Sequence, residues 1–242
     1  CANENGLAIA GLNFPGYAHF PEAARPGTTA VAPYEFPLWV CSNFASVDDV
    51  ERALADVTLV NKGFGSFPVS LLHWIVADTT GCIVVESTAE GLQVMRDPAD
   101  VLANQPGLEW HLENLRSYLN VTPEAPASVN WGNAKLTPYG AGAGMRGLPG
   151  DVYSPSRFVR AAYLNAHHAP KTGEQANVAR VLAMVEGCAE MNDGANELTI
   201  FTSAFSAREG RYYYNTYEQP AYVSAAFTDF DLDGTHVQQV AK

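Results

Sequence analysis

Basic residues are scarce: 14 lysines and arginines stand against 26 aspartates and glutamates in 242 residues, a net charge of −12. A field of that sign repels phosphate backbones and anionic lipid, so neither nucleic acid nor membrane is an expected partner. An anionic substrate would need a local cation. Cysteine is scarce as well. Cys1, Cys41, Cys82 and Cys188 lie far apart with no C-x-x-C pair, which indicates neither a zinc site nor a disulfide framework and fits reduced thiols in a cytoplasm. No apolar run reaches the length of a membrane span, and no internal repeat is found. A signal peptide is also missing, but the chain opens without methionine, in the middle of what reads as a strand and turn, so its start is no guide to localisation.

What is present is an ordinary globular composition, 47% hydrophobic and 17% charged, long enough to bury a full core as one domain over residues 1–242. Leu7 to Leu12 give a short apolar run that reads as a buried strand ending at Asn13, Phe14 and Pro15. Gly16 to Pro33 reads as loop. Tyr34 to Phe44 reads as a helix with Pro37 in its first turn. Ser46 and Asp49 resemble a capping box opening a second helix along Val47, Val50, Leu54 and Val57. From Ser70 to Arg96 the period shortens to three strands of an antiparallel meander; His73 reads there as a packed core histidine with no carboxylate near it in sequence.

Asn104 follows in a loop held extended by Pro106. Helices are then expected over Leu108–Leu119, over Tyr153–His168 with Ser154 as cap and Pro155 at its first position, and over Glu174–Gly187. Between the first two, Thr122 to Asp151 carries no helical or strand period, and a stretch of that length is usually functional or held by a partner chain. The end returns to strands in LTIFTSAFS, RYYYNTY and YVSAAFTDF. The expected class is α+β, sheets with helices on their outer faces.

Three patterns carry little. Gly142-x-Gly144-x-x-Gly147 matches a dinucleotide fingerprint, but no strand precedes it and Pro149-Gly150 blocks the helix that should follow. Asp229-x-Asp231-x-Asp233-Gly234 opens like a calcium loop, yet Val240 stands where the bidentate glutamate belongs. His167 and His168 are adjacent and point to different sides, which suits a helix end better than a metal. No cofactor and no metal site are expected. Cys1, Asn13, Asn104 and Arg157 remain. A cysteine with a free amine has a built-in base, two asparagine amides can form an oxyanion hole, and an arginine in a helix's first turn can orient a carboxylate.

The strings CANENGLAIAGLNFPGYAHF, EFPLWV, SLLHWIVAD, VLANQP, HLENLRSYL, SPSRFVRAAY and TIFTSAFS resemble the choloylglycine (conjugated bile acid) hydrolase family, in the penicillin V acylase group of N-terminal-nucleophile hydrolases. The likeness runs over essentially the whole chain. It implies the αββα sandwich, cysteine-driven hydrolysis of the amide joining a bile acid to glycine or taurine, no cofactor, and a homotetramer in which the loop after Tyr118 reaches a neighbour. Carried over position by position, the resemblance assigns Asn13 as an oxyanion asparagine, Asn104 as the second active-site asparagine, and Arg157 as the arginine of the catalytic set. Asn13 stands where penicillin-preferring members usually have tyrosine, which favours bile amides.

One departure qualifies this. The family opens on its cysteine followed by Thr or Ser, with an R-N-x-D motif soon after, whereas CANENGL aligns with an internal strand and turn. The resemblance therefore implies an incomplete N-terminus lacking the first strands, a nucleophile other than Cys1, unpaired sheet edges, and a chain that alone is inactive and marginally stable. The alternatives are a penicillin V acylase or other linear-amide hydrolase, and a non-catalytic bile-acid-binding remnant.

Overall fold

The computed structural model describes residues 1–140, 142, 144–192 and 197–240. Strand β1 (Ala8–Asn13) is followed by β2 (Thr29–Val31), helices α1 (Phe36–Asn43) and α2 (Val47–Ala53), and strand β3 (Val57–Leu59). Next come the meander β4 (Leu72–Asp78), β5 (Gly81–Thr88) and β6 (Gly91–Arg96), then helix α3 (Leu108–Asn114) and the short strands β7 (Val129–Trp131) and β8 (Ala134–Leu136). Helices α4 (Ser154–His167) and α5 (Glu174–Glu186) precede β9 (Met191–Asn192), β10 (Glu197–Leu198), β11 (Phe201–Ser206), β12 (Arg211–Thr216) and β13 (Val223–Ala226).

The central sheet runs β1-β4-β5-β6, antiparallel throughout. Its side chains alternate between two cores. Ile9, Trp74, Val76, Ile83 and Val85 pack with Phe36 and Val40 of α1 and Val47 and Val50 of α2. Ile75, Val84 and Met95 face the other way, onto Leu108 of α3 and Phe158 and Ala162 of α4. Each fully buried Phe or Val here contributes roughly 1.5–3 kcal/mol relative to exposure. Gly11 leaves room for the Trp74 indole beside β1, because a Cβ there would meet Nε1 at 3.0 Å. A separate three-stranded sheet runs β11-β12-β13, with β11 against α5.

Local chemistry sets the helix starts. Ser46 Oγ accepts from Asp49 N–H at 3.2 Å, while Asp78 Oδ2 accepts from Val47 N–H at 2.7 Å and ties α2 to the end of β4. The expected Ser154 cap is not made. Ser154 is the first residue of α4 and its buried hydroxyl finds no partner among the described residues. The start is shaped one turn earlier by Asp151, whose carboxylate accepts from Tyr153 N–H at 3.0 Å and Ser156 Oγ–H at 2.8 Å.

Other boundaries shift for physical reasons. Gly16–Pro33 contains β2, which pairs in parallel with β3, so Val57 starts a strand instead of ending the second helix. Helix α3 gives way to a 3₁₀ turn over Leu115–Tyr118. The Thr122–Asp151 stretch holds the β7–β8 hairpin, whose residues are all exposed, so no inward-outward alternation marks it in the sequence. Ala143 of the glycine motif lies outside the described residues. Among those described, no helix is long and apolar enough to cross a membrane, and no group of three or more His, Cys, Asp or Glu is placed to hold a metal ion.

Candidate functional site

Asn13 ends β1, paired with Leu72, and its side chain is exposed. Asn104 lies in the loop between β6 and α3. That loop is shaped by buried Asp97, whose carboxylate accepts from Ala99 N–H and Val101 N–H, each at 2.8 Å. Burial pushes the Asp97 pKa up despite those two bonds. Arg157 sits in the first turn of α4, where its Nε donates to Val152 O at 3.0 Å and so fixes the stem of the guanidinium.

These three residues, far apart in the chain, form one hydrogen-bonded line. Asn104 Nδ2 donates to the Asn13 carbonyl oxygen at 2.9 Å, across 91 residues of sequence. Arg157 Nη2 donates to Asn104 Oδ1 at 2.7 Å, across 53 residues. The Asn104 amide is therefore oriented at both ends, since only its oxygen can accept from arginine and only its nitrogen can donate to a carbonyl. One Nδ2 hydrogen is left over. The Asn13 side-chain amide makes no hydrogen bond to another described residue, so N–H donors from both asparagines stay available to a ligand. Arg157 also pairs with Glu190, Nη2 to Oε1 at 3.1 Å, with side chains 19% and 26% exposed. Sequence reading missed Glu190, which follows α5 with no motif around it.

Cys1 is elsewhere. It pairs with Ile9: its ammonium donates to Ile9 O, and Ile9 N–H donates to Cys1 O, both at 2.9 Å. Asn13 lies four positions along β1 from Ile9, about 13 Å at the rise of an extended chain. The Cys1 amine is next to α1, where its charge partly offsets the burial that raises the Cys41 thiol pKa. His73, read from sequence as a core histidine, is fully buried, and its Nδ1 lies 3.1 Å from Glu86 Oε1, 13 residues on in the chain and across the β4–β5 pair. His167 turns back on its own helix, Nδ1 lying 2.8 Å from Tyr163 O. A cleft of about 740 Å³ between His19, Arg25, Glu51 and the β5–β6 turn contains none of Asn13, Asn104 and Arg157.

Residues 1–239 match the family described as linear amide C–N hydrolases, choloylglycine hydrolase family. A bile salt hydrolase/transferase of Bifidobacterium longum subsp. longum is 52% identical over 248 residues, which span all of this chain and 78% of that protein. The crystal structure of a mutant conjugated bile acid hydrolase from Clostridium perfringens superposes with a TM-score of 0.92 at 34% identity, over 99% of this chain and 75% of that one. A penicillin V acylase from Agrobacterium tumefaciens, at TM-score 0.73 and 18% identity over 95% of this chain and 66% of its own, shares the fold alone. The α+β class expected from the sequence is thus the N-terminal-nucleophile hydrolase fold of these structures, and the chain belongs to the choloylglycine hydrolase family of linear amide C–N hydrolases.

Proposed function

We propose that this site takes the amide bond of glycine- or taurine-conjugated bile acids and serves its hydrolysis. The observation that carries the reading is the line Asn13–Asn104–Arg157 in a chain of this family. In the reaction a thiolate adds to the amide carbonyl carbon, and the oxygen takes up negative charge as the tetrahedral intermediate forms. The free N–H of Asn104, a neutral donor held before the charge develops, and the Asn13 side-chain amide donate to that oxygen. Arg157 keeps the Asn104 amide from turning over. Collapse expels the glycine or taurine amine, and water releases the bile acid from the thioester.

Cys1 is not the attacking thiol in this reading. Its place beside Ile9, away from Asn13 at the other end of β1, supports that assignment. Two measurements test the proposal together. Calorimetry with a glycine-conjugated bile acid should detect binding that weakens on Asn104→Leu, and no binding would sink the site. Glycine release should be the same for the wild-type chain and Cys1→Ala. A turnover abolished by that substitution would make Cys1 the nucleophile. Binding without turnover is the outcome for a chain that keeps the pocket but not the thiol, and phenoxyacetyl amides competing better than bile conjugates would favour a penicillin V acylase.

We also propose a homotetramer, supported by the β7–β8 hairpin, which presents Trp131 at 76% exposure beside exposed Val129 and Leu136. Light scattering on Trp131→Glu reads it, and an unchanged mass would count against this arm. A cytoplasmic setting is supported by the four free thiols and is read by cell fractionation.

A further inference from the structure

Beneath the Asn13–Asn104–Arg157 line lies a second polar layer, wholly buried, that the proposed reaction does not use. His73 and His111 are fully buried and Glu86 is 3% exposed. Each histidine ring lies flat on the aromatic residue directly following a site residue. His73 stacks on Phe14 with centroids 4.1 Å apart and planes at 5°, and His111 stacks on Phe158 at 4.5 Å and 10°. Glu86 Oε1 accepts from Leu108 N–H at 3.0 Å, at the start of α3, and lies 3.1 Å from His73 Nδ1. Further along α3, His111 Nε2 lies 2.9 Å from the Asn104 carbonyl oxygen. A carbonyl only accepts, so Nε2 carries the proton. Burial lowers the His111 pKa, which keeps the ring neutral and leaves Nδ1 bare. Nδ1 of His111 and Nε2 of His73 are both buried without a partner among the described residues.

Stability does not account for this layer. Burying a carboxylate and two imidazoles, with two ring nitrogens unsatisfied, is less favourable than filling the same volume with apolar side chains. What the layer does have is one contact to each arm of the site: the Phe14 ring after Asn13, the Asn104 carbonyl, and the Phe158 ring after Arg157.

We propose that His73, Glu86 and His111 are positioning residues that set the spacing of Asn13, Asn104 and Arg157 from below. In this scheme Glu86 clamps the start of α3 to the sheet, and His111 carries that placement to Asn104. The proposal rests on the reading that those three residues are the site.

The test pairs His111→Phe, which keeps a flat ring on Phe158 and removes the donor, with His111→Gln, which keeps an N–H able to reach Asn104 and removes the ring. Two readouts are taken on the whole chain: the Arg157 Nε–H resonance without ligand, and calorimetric affinity for a glycine-conjugated bile acid. The Phe variant should displace the resonance and weaken binding about tenfold, the scale of one orphaned buried carbonyl, while the Gln variant stays close to wild type. A Phe variant with the wild-type resonance, whatever its thermal stability, overturns the proposal, as does a Gln variant no better than Phe. If the Phe variant does not fold, Glu86→Gln takes its place: a displaced Arg157 resonance supports the clamp and an undisturbed one refutes it. A wild-type chain that binds no conjugate would refute the functional reading alone, because the ligand-free resonance still decides the positioning.

Discussion

Replacing Asn104 by leucine removes both links of the line while keeping the side chain's size. The Nδ2 bond to the Asn13 carbonyl is a neutral one, worth about 1 kcal/mol net. The Arg157 Nη2 bond at 2.7 Å is charge-assisted, a class worth about 1.5–3 kcal/mol, but it belongs at the low end here. Arg157 is 19% exposed and keeps both Glu190 and the Val152 carbonyl. The expected loss is about 2 kcal/mol, a fall of roughly 4–8 °C in Tm for a chain of this size. A double-mutant cycle with Arg157→Met isolates the contact between the two side chains. Urea unfolding of wild type, both single variants and the double variant should give a coupling of about 1–2 kcal/mol, since residues sharing a hydrogen bond do not behave additively. Single-variant losses that add to within about 0.5 kcal/mol would mean that Arg157 does not orient Asn104, and the mechanism above would lose its preorganised amide.

Gly107→Ala should be destabilising by about 1–3 kcal/mol, because the new Cβ would meet Glu86 Oε2 at 2.7 Å and moving that carboxylate disturbs the bond its Oε1 accepts from Leu108 N–H; chemical denaturation reads it. Ser154→Ala should cost less than about 0.5 kcal/mol or stabilise slightly, since the hydroxyl is buried without a partner among the described residues; a true cap would cost about 1 kcal/mol, and Asp151→Ala should show that cost instead. Stability should fall as the pH drops below about 6.5, because His111 has its pKa lowered by burial and the unfolded chain therefore binds a proton that the folded one refuses. His111→Gln should remove that part of the slope. A second acid loss at carboxylate pH comes from Asp78: burial acts to raise its pKa, but bonds from Thr80 and the Val47 N–H outweigh it and hold the pKa low, so stability present above the unfolded value is lost as that group protonates.

What the sequence could reveal of this arrangement depended on how local each signal was. Asn13 at a strand end was readable because an apolar run stops at a proline, and the meander was readable because turns separate strands of regular length. Asn104 and Arg157 were found through the resemblance of LANQP and SPSRFVR, since no periodicity singles out an asparagine in a loop or an arginine in a first helical turn. The parallel β2–β3 pair is three residues long on each strand and leaves no pattern to detect. Ser154 before a proline looks like a cap, but Asp151, a few residues earlier, makes the bonds that shape the helix start.

The His73–Glu86 pair is a different case, because its signal was present and unused. The turn that pairs Asp78 with Gly81 and Ala77 with Cys82 fixes the register of the β4–β5 hairpin, and counting back along it sets His73 opposite Glu86. Antiparallel register places facing side chains on the same surface of a sheet, so a histidine and a glutamate at facing positions of two apolar strands must either be buried together or open the core to water. The structure buries them, and uses the carboxylate's remaining capacity on the first N–H of α3. With Oε1 on that N–H and 3.1 Å from the His73 ring, Glu86 is placed to hold β4, β5 and the start of α3, three segments distant in the chain, at a constant spacing.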